Sequence, residues 1–560
     1  MEISRAQRPL GKPSVTSCNL TDVLKGLLSG DLSNPVLHLA FFDPGSGKTS
    51  SVCSFLQSWK ASGFKPDNGA LIVLATHKEI LSCIQASGLD PADYGVLIAK
   101  DKALPEMGNP DIDGTPVLFT TQEKLRHLCS GRSFAEVALL HYAGRPRQLR
   151  VWDEAFLPSV PTILRKDSLL QPLEKLRPLA PETASLVDAL GDSLSADRAG
   201  ELVQVPAEAA IAQGVLKSTL GAHEAERWAP LKDLAGTAAL IVNDGGNGVS
   251  LVGAGRSIPA DFAPALILDA SGRVRETYKA LEAQGIIQPL PVEPKSYSRL
   301  TVHHWHRAAS RSTLKDEGAR AEVLEAARAV IDAHPEEDWL VIHPKGRDED
   351  NIFRELSTKA TRPDRLSSVH WGAHHGTNDF RHIRKVMVLG LWHRPRPYYQ
   401  ALQIAAGVPL SDIADCEALD TFIAGEHRHD LLQGVCRASV RQWGTDGTCG
   451  ACEVYLIGRL GSGVESGREL LLETFPGAEI CSWVPEVARK LSPSHRLQRL
   501  LETAFEVPGV VKVQKATMKT AMGYGSSQAL SKVIRQGDMR VWMDRRGIEV
   551  TARAFLLQGD

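Results

Sequence analysis

The sequence predicts an α/β protein in which two parallel-sheet domains stand in tandem, with a helical insertion and a small helical domain near the C-terminal end. Three observations predict it. Short apolar runs of β type alternate with helical patterns through the first third and again from about residue 300, as in parallel sheets covered by helices. A segment rich in Leu, Ala, Glu and Pro, from about Pro158 to Glu226, changes that character between them. The chain has 560 residues, more than one hydrophobic core organises at roughly 150 residues per domain.

Composition narrows the class further. Hydrophobic residues make up 43% and charged residues 23%, an ordinary balance for a packed fold that argues against long disorder. The net charge of −2 supplies no whole-chain attraction for nucleic acid, so any such contact must come from local patches. Nine scattered cysteines, with no apolar leader in Met1–Leu20, read as reduced thiols of a cytoplasmic protein. No apolar run reaches bilayer length, and stretches such as Ala70–Ala75 and Ala265–Leu268 have the length of buried strands.

The elements follow in order. Strands are expected at Pro35–Phe42, Ala70–Ala75, Pro116–Thr120 and Leu149–Trp152, all within a first domain at 1–157. Residues 158–260 read as a mostly helical insertion that closes with a hairpin, Ala238–Val242 and Val249–Val252. The Asn/Gly-rich segment between the two arms tolerates the positive φ that such a turn needs. Residues 261–284, with the run Leu266–Ala270, return to the first domain. The second domain, 285–465, carries runs at Leu300–His304, Trp339–His343, Val386–Leu391 and Glu453–Ile457 and a helical stretch at Glu317–Ala333. Residues 466–500 read as a linker, and 501–560 as the terminal helical domain. The chain has no internal repeat or low-complexity segment.

Chemistry first appears at Asp43-Pro44-Gly45-Ser46-Gly47-Lys48-Thr49, between an apolar strand and a helical run. A phosphate loop needs this context. Glycines let backbone N–H groups turn inward around phosphates, and a helix N-terminus adds a favourable dipole. Gly45, Ser46, Gly47, Lys48, Thr49 and Ser50 are the expected nucleotide-binding residues, with Lys48 on the terminal phosphates and the Thr49 hydroxyl on Mg²⁺. Phe42 stands where the pattern usually has its first glycine. A second strand end, Arg150-Val151-Trp152-Asp153-Glu154, supplies Asp153 for the metal and Glu154 as general base on the attacking water. ATP and Mg²⁺ are thus the expected cofactors.

Gly-Ser-Gly-Lys-Thr followed by Asp153-Glu154-Ala155-Phe156 resembles the first two motifs of superfamily 2 helicases, although Phe156 makes the second neither a DEAD nor a DEAH box. Further stretches match in the family's order. Ala75-Thr76-His77-Lys78 and Phe119-Thr120-Thr121-Gln122 resemble strand-contacting motifs, and Leu268-Asp269-Ala270-Ser271-Gly272 the third motif. His375-Gly376-Thr377-Asn378 resembles the fifth and Gln433 to Arg441 the sixth. The resemblance implies two RecA-like P-loop domains that close on ATP·Mg²⁺, with Gln433 and Arg437 or Arg441 reaching the γ-phosphate across the cleft. In that sixth motif Cys436 replaces a common glycine and the final arginine comes one position late.

Other constellations are less specific. Cys449-Gly450-Ala451-Cys452 has metal-like spacing but no second pair, so buried thiols are expected. His303, His304, His306, His374 and His375 form no ligand pattern and are expected in packing or polar contacts. The terminal segment orders a helix at Lys515–Met522, a turn at Gly523–Gly525 and a Ser-capped helix at Ser526–Gln536. Met539–Arg546 and a strand at Gly547–Thr551 follow, an order that resembles a helix-turn-helix or winged helix. Residues 501–560 hold nine Lys/Arg against six acids, a sign that suits phosphate contact; a helical cap on the second domain is the alternative.

The leading expectation is a nucleic-acid-dependent ATPase, a helicase or translocase acting on DNA more than RNA. The alternatives are an ATP-gated DNA-binding regulator using the terminal helix-turn-helix, and a module that binds nucleotide without hydrolysis.

Overall fold

The computed structural model describes residues 20–557 apart from 66, 100–106, 256, 293–294, 347–350, 374–378, 414–415, 487–491 and 506–509. The segment His375–Asn378, matched above to a fifth motif, lies outside the described residues, as do His374 and the N-terminal 19 residues.

The first domain is a seven-stranded sheet whose neighbours all run parallel. From one edge to the other the strands are Ile287–Pro289, Leu37–Ala40, Ala265–Leu268, Leu149–Asp153, Ala70–Leu74, Val117–Thr121 and Tyr94–Leu97. The interior strands Leu37–Ala40, Ala70–Leu74, Val117–Thr121 and Ala265–Leu268 are buried throughout. That is why they read as apolar runs: helices cover both faces of a parallel sheet. The run at Leu266–Ala270 lies near the middle of this sheet, between the phosphate-loop strand and the strand that ends at Asp153.

The second domain repeats the architecture. Its six strands, Leu366–His370, Trp339–His343, Lys385–Leu389, Cys452–Ile457, Leu300–Trp305 and Glu479–Ser482, are again parallel neighbours. The expected linker at 466–500 is corrected here. The helix Val464–Thr474 buries Leu470 and Leu471, and the strand Glu479–Ser482 pairs with Leu300–Trp305, so both complete the second domain.

The insertion is helical over most of its regular structure, as expected, and it also holds more strand than the hairpin: Val160–Arg165, Val249–Gly255, Ala238–Asn243 and Leu202–Gln204 form a four-stranded antiparallel sheet. The expected hairpin is present, with Leu240 opposite Val252. One face of this sheet shares a core with the insertion's own helices, where Leu164, Ile241 and Leu251 meet Leu173, Leu216 and Trp228. Leu240, Val242 and Val252 pack against Ala401 and Ile413 of the second domain. The insertion therefore leaves the first domain just after Glu154 and docks on the second. Each fully buried Val or Leu in such a seam contributes on the order of 1.5–3 kcal/mol.

The C-terminal unit has its own core around Leu497, Leu501, Met518, Leu530, Met539 and Phe555. Helices Pro493–Phe505, Lys515–Ala521, Ser527–Ile534 and Gly537–Arg545 pack with a three-stranded antiparallel sheet, Lys512–Gln514, Ala554–Leu557 and Ile548–Val550. Ser526 caps its helix as expected, accepting the Ala529 N–H at 3.3 Å. Among the described residues, no helix is long and apolar enough to cross a membrane.

Candidate functional site

Strand register assembles the site. Ala40, Leu268 and Asp153 are successive neighbours across three parallel strands, so the loops after them open side by side at the carboxyl edge of the sheet. Ligands of open α/β sheets bind at that edge. After Leu37–Ala40 the chain turns through Gly45 and Gly47, with φ of 84° and 85°, and enters the helix Lys48–Ala61. Gly47 caps that helix without a side-chain hydrogen bond. Its first N–H groups therefore have no side-chain cap, as anion binding at a helix N-terminus requires.

Within the loop, Lys48 Nζ donates to the carbonyls of Phe42 at 2.7 Å and Asp43 at 3.4 Å. Thr49 Oγ1 donates to Asp153 Oδ2 at 2.6 Å. Burial lowers the Lys48 pKa, opposed by Glu154 and Asp153. Burial also raises Asp153, while its bond from Thr49 and the charge of Lys48 act the other way. Burial and the neighbouring Asp153 push Glu154 up to about 7. Glu154 is also one of two non-glycine residues with positive φ among the described residues, at 74°. That backbone costs on the order of 1 kcal/mol and is held by the Glu154 N–H donating to Leu268 O at 3.0 Å.

The second domain supplies the opposite wall. Pro44 to Ser50, Asp153, Glu154 and Ala270 face Gln433, Arg437, Arg441, Gln442 and Trp443 across a cleft of about 590 Å³. Every residue expected at the nucleotide site lines it. Arg437 donates to Gln433 Oε1 at 3.2 Å. Burial lowers the pKa of both arginines; Glu154 is the largest opposing charge for Arg437, whereas Arg437 itself further lowers Arg441.

A hydrogen-bonded path joins the two walls. The Phe156 N–H donates to Tyr278 Oη at 2.8 Å, and Tyr278 donates to Asp269 Oδ2 at 2.7 Å. Asp269 Oδ1 accepts the Ser271 N–H at 2.9 Å, and Ser271 Oγ accepts from Gln433 Nε2 at 3.3 Å and bonds His429. The third and sixth motifs thus touch directly.

Other expected residues fall elsewhere. Thr76 is exposed and caps the helix His77–Ser87 in a reciprocal pair with Glu79. Gln122 turns inward, and its amide donates to Asp153 O at 2.6 Å, bracing that strand end. Cys449 and Cys452 are buried, and burial pushes the Cys452 thiol up to about 12. His303 bonds Glu453 at 2.7 Å and His304 the Gly458 carbonyl at 2.9 Å.

Sequence reading missed Lys295, Arg381, Gln442 and Trp443, which also line the cleft. Trp443, two residues past Arg441, donates its indole N–H to Pro44 O at 2.8 Å. Lys295 lies between the two domains, where no motif spacing points to it.

The loop and the second domain meet closely. A Cβ on Gly45 would stand 2.1 Å from the Arg441 carbonyl oxygen, and the backbone there is left-handed. Gly45→Ala is therefore expected to fold but to lower nucleotide turnover roughly tenfold or more, from about 1–2 kcal/mol of misfit. A melting curve beside steady-state turnover checks it: wild-type turnover in a folded variant contradicts the contact.

No family model and no curated protein sequence matches the chain. Among solved structures it is similar to Saccharomyces cerevisiae Dbp5 bound to RNA and ADP-BeF3. Identity is 10% over 87% of this chain and 93% of that one, with a TM-score of 0.38. Similarity to the DUF1998 helicase MrfA bound to DNA and AMPPNP is 10% identity over 96% and 59%, with a TM-score of 0.34. A DEAD box protein of Methanococcus jannaschii aligns at 9% identity over 83% and 91%, with a TM-score of 0.28. By its own strand order and the cleft between its two parallel sheets, the chain has a tandem RecA-like α/β fold.

Proposed function

We propose that this protein is a nucleic-acid-dependent ATPase of the motor type, in which ATP hydrolysis between the two domains moves them along a strand. One observation carries the reading. Lys48, Thr49, Asp153 and Glu154 from one domain and Gln433, Arg437 and Arg441 from the other converge on a single cleft, so the arginines act on nucleotide only while the domains are together.

The residues present fit a nucleoside triphosphate with Mg²⁺. Ser46 Oγ is buried in the loop without a hydrogen-bond partner, as a hydroxyl facing a phosphate oxygen would be. Thr49 and Asp153 would hold the metal, which when bound supplies charge neutralisation at the phosphates. Glu154 accepts a proton from the attacking water, Lys48 binds the terminal phosphates, and the distal arginines stabilise charge on the transferring group.

Nucleic acid as partner is supported by local cations. Arg311, Lys315 and Lys345 line a small cavity beside the end of the Trp339–His343 strand, while the exposed Thr76 follows a strand end of the first sheet. The test is ATPase activity against single- and double-stranded DNA and RNA. Single strands should raise the rate; no stimulation by any of them leaves an ATPase that is not a motor.

The C-terminal unit supports a second reading, an ATP-gated regulator. Lys532, Arg535, Arg540, Arg545 and Arg546 are exposed on its helices and the turn after them, where they could meet phosphates. Slow turnover with tight, site-specific duplex binding and no strand displacement distinguishes it.

A further inference from the structure

Two residues of the motifs meet in space. Asp43, inside the phosphate loop, and Cys436, in place of the sixth motif's glycine, both lie against Tyr297, which the segment between the domains contributes. Tyr297 donates its hydroxyl to Asp43 Oδ1 at 2.7 Å. Asp43 is 5% exposed, Tyr297 0% and Cys436 1%. Burial above all pushes the Cys436 thiol up to about 12, and the nearby Asp43 charge acts in the same direction.

Arg273, which follows the third motif, completes the junction. Its guanidinium donates to Asp43 Oδ1 at 3.1 Å on one side. On the other it donates to the carbonyls of Glu473 at 2.9 Å and Thr474 at 2.7 Å. Those carbonyls end the helix Val464–Thr474, where the helix dipole is negative and a cation is favoured. The same guanidinium lies 5.8 Å from the Tyr297 ring centroid, and that ring packs edge-on against Trp443 and Phe475. One side chain thus ties the phosphate loop to the third motif, the interdomain segment and the second domain at once.

We infer that Asp43, Arg273 and Tyr297 form a positioning junction that holds the phosphate loop in register with the distal arginines. None of the three needs to touch nucleotide. Asp43 points away from the phosphates into the junction, and its charge is what Arg273 and Tyr297 share. Losing it leaves a buried guanidinium and phenol short of an acceptor. Domain closure is then less well defined, and Arg437 meets the γ-phosphate less often. The inference rests on the reading that this cleft hydrolyses ATP.

The test compares Asp43→Asn, Arg273→Lys and Tyr297→Phe with wild type. Binding of a fluorescent ATP analogue should stay within about twofold, while kcat falls roughly tenfold, the size expected for one hydrogen bond to a charged group. A merely structural role would weaken binding and turnover together, with a lower melting temperature, and that result overturns the inference. So does an unchanged kcat in all three. A second measurement needs no hydrolysis: dyes placed through unnatural amino acids at the exposed Leu81 and Val464 report the distance between domains. The variants should shift that distribution to longer distances, and an unchanged distribution overturns the junction. Should wild type itself hydrolyse nothing, the ATPase reading fails while the distance measurement still decides the junction.

Discussion

Lys48→Ala and Glu154→Gln are each expected to bring ATP hydrolysis to background in a protein that still folds. The two fail for different reasons. Lys48 is the cation of the phosphate loop, held over it by the Phe42 and Asp43 carbonyls. Alanine removes the charge that meets the terminal phosphates, for a loss of roughly a hundred- to a thousandfold. Glu154 sits beside Asp153, with its own proton affinity raised by burial and by that neighbour. Glutamine keeps its shape but cannot take a proton, which removes general-base catalysis worth about a hundred- to ten-thousandfold. Nucleotide binding separates the two: it should weaken in Lys48→Ala and persist in Glu154→Gln. Single-turnover hydrolysis beside analogue binding checks both, and wild-type turnover by Glu154→Gln assigns the base elsewhere.

Arg437→Ala carries the second large effect, a fall in kcat of about a thousandfold or more, as for loss of an arginine finger. The sequence left Arg437 and Arg441 as equal candidates. The structure separates them. Arg437 is buried, is held by Gln433 at 3.2 Å, and finds in Glu154 its largest opposing charge. Gln433 in turn is bonded to Ser271 of the third motif. Arg441 is more open, and it presents its backbone carbonyl to the loop at Gly45. Arg441→Ala is accordingly expected to lose less in kcat and more in the closeness of the two domains. ATP affinity should change little in Arg437→Ala, because the first domain supplies the loop. A larger kcat loss in Arg441→Ala than in Arg437→Ala reverses the assignment.

Interior strands were legible in the sequence and edge strands were not. The apolar runs at Pro35–Phe42, Ala70–Ala75, Trp339–His343 and Val386–Leu391 belong to strands with a neighbour on each side and helices on both faces. Ile287–Pro289, Tyr94–Leu97, Leu366–His370 and Glu479–Ser482 are the sheet edges, and none stood out. Each is short and partly exposed, so selection for apolar side chains is weak there, and Pro289 and Gly95 interrupt the pattern further. The insertion's strands escaped notice for a related reason. Val160–Arg165 and Leu202–Gln204 are the two edges of a sheet whose inner pair was visible as a hairpin.

By itself the sequence determined the tandem α/β class and supplied the residues on which the proposed nucleotide chemistry rests. Lys48, Thr49, Asp153 and Glu154 stand at strand ends whose neighbours dictate a loop and a helix N-terminus, so local residue order is enough to propose their roles. Tertiary structure alone decided which distal groups they meet. Tyr297, Arg273, Lys295 and Trp443 are brought to the loop by the packing of two sheets on each other. Contacts between residues hundreds of positions apart, such as Tyr297 with Asp43 or Trp443 with Pro44, depend on geometry that no spacing in one chain encodes. The same packing puts Asp43, an unconstrained position of the loop pattern, against Tyr297 and Arg273.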